Sequence, residues 1–205
     1  MTSNFLHLAT TPSVAAVQER YLGRAHAVGD APPEDRLGAV ERDFIQARDS
    51  FYMASITKME WPYVQHRGGP AGFLRLLSEN RIGFADVRGN RQLLSTGNVM
   101  ANDRVALILM NYPQRSRLKI LGHARVIAAS DDPKLASQLT VVGAGPVERL
   151  FTIDVVALDW NCPKYITPRY TREEVHQVVA PLQKRIIELE TRLAAFQSQP
   201  GDLKP

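Results

Sequence analysis

The chain has 205 residues, of which 44% are hydrophobic and 22% charged, which suits one ordinary globular domain and excludes a disordered chain. Its 25 basic residues exceed its 21 acidic ones by a net +4, a modest surplus that suits a phosphorylated small molecule as readily as nucleic acid. A single cysteine, Cys162, excludes an internal disulfide framework and a thiolate zinc site, so no metal is expected. No long apolar run opens the chain, since Glu19 and Arg20 interrupt it; a cytoplasmic protein with no membrane partner is expected.

In chain order, Thr11 followed by Pro12 predicts a capped helix with Val14, Val17, Tyr21 and Leu22 at helical spacing, ending near Gly23. Residues 26–33 read as a loop. A second helix is predicted from about Pro33 to Arg48, with Leu37, Val40, Phe44 and Ile45 as its buried stripe. Strands follow over Phe51–Thr57, over Trp61–His66 with Pro62 at its start, over Phe73–Leu77, and over Ile82–Val87. The nearly continuous apolar run Val105–Asn111 predicts a strand buried on both faces. Leu118–Ala129 and Leu150–Leu158 complete the strands. A short helix, Asp131–Leu139, stands between them. Thr171 and Glu174 form a capping-box pattern for a helix over Arg172–Gln197, which Pro181 is expected to kink or split. Its residues Leu182, Ile186, Leu189, Leu193 and Phe196 keep a coiled-coil-like spacing, for docking on the chain's own barrel or for a dimer contact. The tail from Ser198 to Pro205 is expected to fray.

This pattern predicts a mainly β protein with flanking helices, six or seven strands in a closed or partly open barrel, not a doubly wound sheet. Helices over residues 1–49 would pack on a barrel over 50–170, and 171–205 would form a C-terminal helix and tail, all one domain. The segment Val141-Val142-Gly143-Ala144-Gly145-Pro146 imitates a dinucleotide fingerprint. Glu148 holds the place of the third glycine and a strand should follow, so a loop is the better reading.

The most chemical stretch is Arg88-Gly89-Asn90-Arg91-Gln92, followed by Leu94-Ser95-Thr96-Gly97-Asn98. Guanidinium groups grip phosphate bidentately, and hydroxyls and backbone N–H groups add donors. The alternative is a solvated basic turn. A second candidate is Val64-Gln65-His66-Arg67, where Gln65 offers a donor and an acceptor and His66 alone is more simply structural. Ser55 and Thr57 share one face of the neighbouring strand and are placed to meet the same ligand. No Ser/His/Asp signature, His-Glu-x-x-His or Walker loop is present.

Together with Trp61-Pro62-Tyr63-Val64-Gln65-His66-Arg67-Gly68-Gly69 and Arg117-Leu118-Lys119-Ile120-Leu121-Gly122-His123-Ala124-Arg125, these motifs resemble those of the flavin-binding split barrels related to pyridoxamine 5′-phosphate oxidase, over about residues 38 to 170. The resemblance implies a six-stranded antiparallel split barrel, FMN and a homodimer. It places the phosphate contacts at Asn90, Arg91 and Gln92, where the oxidases have Arg-Lys; Gln92 removes one charge, which Arg88 or Arg67 would replace. It lays the strand of Val64–Arg67 along the flavin ring and ribityl chain, and sets Arg117 near a flavin-contacting position, with Lys119 on the same face. Cations there would stabilise the reduced anionic ring; a surface pair is the alternative. Asp159-Trp160-Asn161-Cys162-Pro163 matches a recurrent Trp-Asn-Cys-Pro pattern, with Trp160 over the flavin, at the dimer seam or in the core. Cys162 reads as a buried thiol or a redox one. The oxidases' C-terminal Arg-x-His substrate motif is missing, so oxidation of pyridoxamine phosphate is not expected.

The resulting expectation is an FMN-dependent oxidoreductase of unknown small-molecule substrate, acting as a homodimer. A non-catalytic flavin-binding or carrier module and a deazaflavin-dependent reductase are the alternatives. Nucleic-acid binding lacks the interleaved exposed aromatic and basic residues of a single-strand groove.

Overall fold

The computed structural model describes residues 4–30, 35–89, 91–143, 145–160 and 163–197. Asn90, Asn161, Cys162 and the tail from Ser198 lie outside the described residues, as does Pro33, the expected start of the second helix. The chain divides into two compact units: residues 1–111 with 115–166, and residues 112–114 with 167–205.

The first unit is built on strands β1 (Ser50–Ile56), β2 (Pro62–Gly68), β3 (Arg75–Leu76), β4 (Arg81–Val87), β5 (Arg104–Asn111), β6 (Ser116–Ala128) and β7 (Val147–Trp160). They form one antiparallel sheet in the order β2-β1-β5-β6-β7-β4-β3. This is the split barrel expected, with seven strands in place of six, one of them the two-residue β3. Alternation sends Phe51, Met53, Phe84, Leu107, Leu109, Leu118, Ile120, Phe151 and Ile153 inward. Phe84 and Phe151 oppose each other across β4 and β7 and stack at 4.8 Å; Phe51 meets Phe84 edge-on at 5.4 Å.

The helices of this unit are α1 (Asn4–Ala9), α2 (Pro12–Leu22), α3 (Ala39–Gln46), α4 (Leu94–Ala101) and α5 (Pro133–Leu139). Thr11 caps α2 through Val14 N, and Gly23 closes it in the left-handed conformation, as the Thr-Pro start and glycine stop predict. Asp132 caps α5. α1 was not legible as a helix, and its role is tertiary. β6 and β7 slip register between Leu121 and Gly122, which leaves Val156 without a ladder partner. The Val156 carbonyl accepts instead from Asn4 Nδ2 at 2.9 Å and from Asp35 N at 3.0 Å, and Asp35 Oδ2 accepts from Leu158 N at 2.9 Å. The N-terminal segment thus covers a length of β7 that β4 does not reach.

Four expectations are corrected. The second helix is only α3: Leu37 is buried ahead of it, and Val40 points to solvent. The strand expected over Phe73–Leu77 shrinks to β3. Gly72 at φ 79° donates to the Arg48 carbonyl and Phe73 N donates to Pro70, so the chain turns there. β5 is buried on one face only, through Val105, Leu107 and Leu109, while Ala106 and Ile108 are half-covered. Finally, residues 94–101, read as part of a turn, are helical. Gly97 and two hydroxyl residues make them weak helix formers, but Ser95, Asn98 and Val99 form a buried stripe at helical spacing.

The second unit carries α6 (Arg172–Gln197), whose Thr171–Glu174 capping box is formed: Thr171 N donates to Glu174 Oε2 at 2.7 Å, and Glu174 N donates to Thr171 Oγ1 at 3.1 Å. Of the kink or split expected at Pro181, the split does not occur: the proline lies inside one continuous helix.

The bulge makes a stability prediction. A Cβ at Gly122 would lie 2.5 Å from the Asp154 carbonyl oxygen and 2.7 Å from Ile153 Cγ2, and backbone cannot yield. Gly122→Ala should lose about 1–3 kcal/mol in urea unfolding. Gly97→Ala, with nothing within 4 Å inside α4, should be neutral or gain about 0.5–1 kcal/mol.

Candidate functional site

β2 and β4 stand near opposite ends of the sheet and share no ladder. A cleft of about 210 Å³ lies where they approach, lined by Tyr63, Gln65 and Arg67 of β2, Asp86 and Val87 of β4, Gly89, Arg91, Gln92 and Leu93 between β4 and α4, the first residues of α4, and Arg149 of β7.

Its centre is a charge cluster. Arg67 Nη1 donates to Asp86 Oδ1 at 2.5 Å, and Arg149 Nε donates to Asp86 Oδ2 at 2.8 Å. Asp86 and Arg149 are opposed in the β4–β7 register, so their pairing follows from the strands. The Arg67 bond spans the split in the barrel. These side chains are 10–19% exposed, so the attraction is weakly screened by water. The Arg67 guanidinium also lies 5.5 Å from the Phe84 ring and 5.2 Å from the Phe151 ring. Its Nε is buried with no hydrogen-bond partner. With Arg91, the lining holds three guanidinium groups and one carboxylate.

The floor is set by α4. Ser95 Oγ donates to Gln65 Oε1 at 2.7 Å, which leaves the Gln65 amide nitrogen as the part that can meet a ligand. Asn98 Nδ2 donates to Ser55 Oγ at 3.0 Å inside the core and ties α4 to β1. Two residues ahead of α4 are in the left-handed region without being glycine: Arg91 at φ 60° and Leu93 at φ 55°. Each such conformation costs about 1–2 kcal/mol. It curls the turn into a concavity that ends at the first turn of the helix.

Of the residues singled out in the sequence, Gln65, Arg67, Arg91, Gln92, Ser95 and Thr96 meet in this cleft. Ser55 and Asn98 stand behind it as a buried pair. Thr57 Oγ1 accepts from Trp61 N at 3.0 Å and closes the β1–β2 hairpin. Val64 and His66 occupy the other face of β2, where His66 meets Tyr52 edge-on at 5.4 Å. Arg88 turns to Glu148 at 3.5 Å. Arg117 is on β6, away from the cleft, and Lys119 on the same face pairs with Asp159 at 2.8 Å. Trp160 packs edge-on against Phe44 at 4.8 Å and donates to Glu41 at 2.7 Å.

Sequence reasoning missed Asp86, Arg149 and Tyr63. The signal for the first two was phase. Asp86 shares the inward phase of Ile82 and Phe84, and Arg149 that of Phe151 and Ile153. A charge on the buried side of a strand requires a partner.

The model of the pyridoxamine 5′-phosphate oxidase family matches residues 37–144, just over half of the chain, and the chain belongs to that family. No curated protein matches it. Solved structures similar to it include HupZ from Group A Streptococcus, at 12% identity over 63% of this chain and 95% of that one, with a TM-score of 0.46. A putative pyridoxamine 5′-phosphate oxidase from Lactobacillus delbrueckii matches at 15% identity over 60% and 93%, with a TM-score of 0.48. The heme storage protein HutZ from Vibrio cholerae matches at 14% over 61% and 94%, with a TM-score of 0.40. Among the described residues, no helix is long and apolar enough to cross a membrane.

Asp86 is the test of the cluster. Asp86→Ala should cost about 3–5 kcal/mol in chemical denaturation, because it leaves the largely buried Arg67 without its carboxylate and Arg149 with Glu148 alone, at 3.1 Å. Equal stability of the variant and the parent would mean the cluster holds nothing together.

Proposed function

We propose that this chain is a flavin-binding oxidoreductase that holds FMN by its phosphate in the cleft between β2, β4 and α4 and acts on a small-molecule substrate as a homodimer. The observation that carries this reading is the three-to-one excess of guanidinium over carboxylate in a concave, partly buried site that ends at a helix N-terminus. Arg67 and Arg149 are braced by Asp86, so their charge is preorganised and a dianion meets it without reordering them. Arg91 sits on the left-handed turn as the cation not braced by that carboxylate. The Ser95 and Thr96 hydroxyls and the Gln65 amide supply neutral contacts beside it.

The cleft is smaller than the about 300–1,000 Å³ typical of a whole small-molecule site. It suits the phosphate end of the cofactor, and the ring would extend past one protomer. On the opposite face of the sheet, the outer side of β1, β5 and β6 is largely apolar. A hollow of about 180 Å³ is lined there by Tyr52, Ala54, Val64, Ala106, Ile108 and Leu121, with Tyr52 and Val64 exposed. Such a face on a sheet supports pairing of two copies, which would bring Val64 and His66 to the shared seam. Bound FMN supplies electron transfer through its ring, and the chain's residues bind and orient it. Because the cleft recognises phosphate, a phosphate-bearing deazaflavin satisfies the same contacts and is the second reading.

An absorbance spectrum of the protein after incubation with FMN and desalting tests the proposal. The parent should retain flavin bands. Arg91→Ala should weaken retention about tenfold to a hundredfold, the loss of one charged hydrogen bond or two. Arg88→Ala, whose guanidinium pairs with Glu148, should retain flavin like the parent. A protein that takes up the deazaflavin and refuses FMN would favour the second reading, and one that takes up neither would end both.

A further inference from the structure

α6 carries an apolar stripe along one face. None of its residues is buried. Val175, Val179, Leu182, Ile186, Leu189, Leu193 and Phe196 are 38–77% exposed and recur at alternating steps of four and three. That is a heptad seam of seven layers, with Val179, Ile186 and Leu193 at a and Val175, Leu182, Leu189 and Phe196 at d. The two heptads evident from Leu182 onward continue back through Pro181, which occupies an outward c position and leaves the seam unbroken.

We propose that α6 is one strand of a parallel two-stranded coiled coil whose partner is α6 of a second copy. Two features select this occupant. β-branched Ile186 and Val179 at a with Leu182 and Leu189 at d is the pattern of two-stranded parallel coils. The flanking charges set direction: Arg185 at g faces Glu190 at e of the partner helix when the helices run parallel. An antiparallel pair that kept the seam layers together would set Arg185 against Arg192. In the single chain, Arg185 reaches Glu188 of its own helix at 3.1 Å, an exposed contact that is cheap to exchange. The helix carries four basic side chains and four carboxylates, which gives no net attraction to an anionic lipid surface. This proposal does not rest on the flavin reading.

Disulfide trapping in the full-length chain tests it. Cys162, the one native cysteine, is replaced by serine, and a cysteine is placed at Leu189 (d) or at Lys184 (f, outward). Under a mild thiol–disulfide buffer, Leu189→Cys should collect most of the chain as covalent dimer on a non-reducing gel, and Lys184→Cys little. Adding Arg185→Glu to Leu189→Cys should slow trapping roughly fivefold, and adding Glu190→Arg as well should restore it. Leu189→Cys trapping no faster than Lys184→Cys would overturn the proposal and assign the seam to its own chain or another protein. Trapping indifferent to the charge reversal would overturn the parallel pairing. Neither result depends on whether FMN binds or the barrel faces pair.

Discussion

The bond between Arg67 and Asp86 crosses the one place where the sheet cannot hydrogen-bond to itself. β2 and β4 stand near opposite ends of the strand order, so no backbone ladder holds the split together. Asp86 is shared by Arg67 from one side and Arg149 from the other, and Arg67 rests over the Phe84 and Phe151 rings. Desolvating such ions is costly, and a hydrophobic filling would close the split at least as well. What an apolar seam would not provide is fixed positive charge at the mouth of a cleft. The same cluster therefore relates the fold to the proposed anion site.

The rest of the cleft is arranged around that cluster. Ser95 orients Gln65, and the Asn98–Ser55 bond anchors the helix that carries Ser95. The turn leading into the helix holds two non-glycine residues at positive φ, so its curvature is maintained by the packing on either side. A backbone strained in this way beside three guanidinium groups is more readily explained by ligand recognition than by stability.

The two proposed contacts between copies would serve different ends. The outer sheet face would pair two barrels and help enclose a flavin ring that one protomer is too small to cover. The α6 seam belongs to the second compact unit and would add a connection independent of the cofactor.

The sequence by itself determined most of the element types, because hydrophobic period, turn residues and caps are local. The strand phases, the Thr11 and Thr171 caps and the helix over Arg172–Gln197 all follow from neighbours a few residues apart. It also pointed to the segment that carries Arg91, Gln92 and Ser95. Only the tertiary structure decided which side chains share the cleft. Val64 and His66 were grouped with Gln65 and Arg67 by sequence proximity, but pleating sends them to the opposite face. Asp86 and Arg149 are 63 residues apart and become partners through strand register, which no local pattern encodes. α1 and α4 were missed for a related reason. Neither is a strong helix by composition, and each is held by polar contacts to distant strands, Asn4 to Val156 and Asn98 to Ser55.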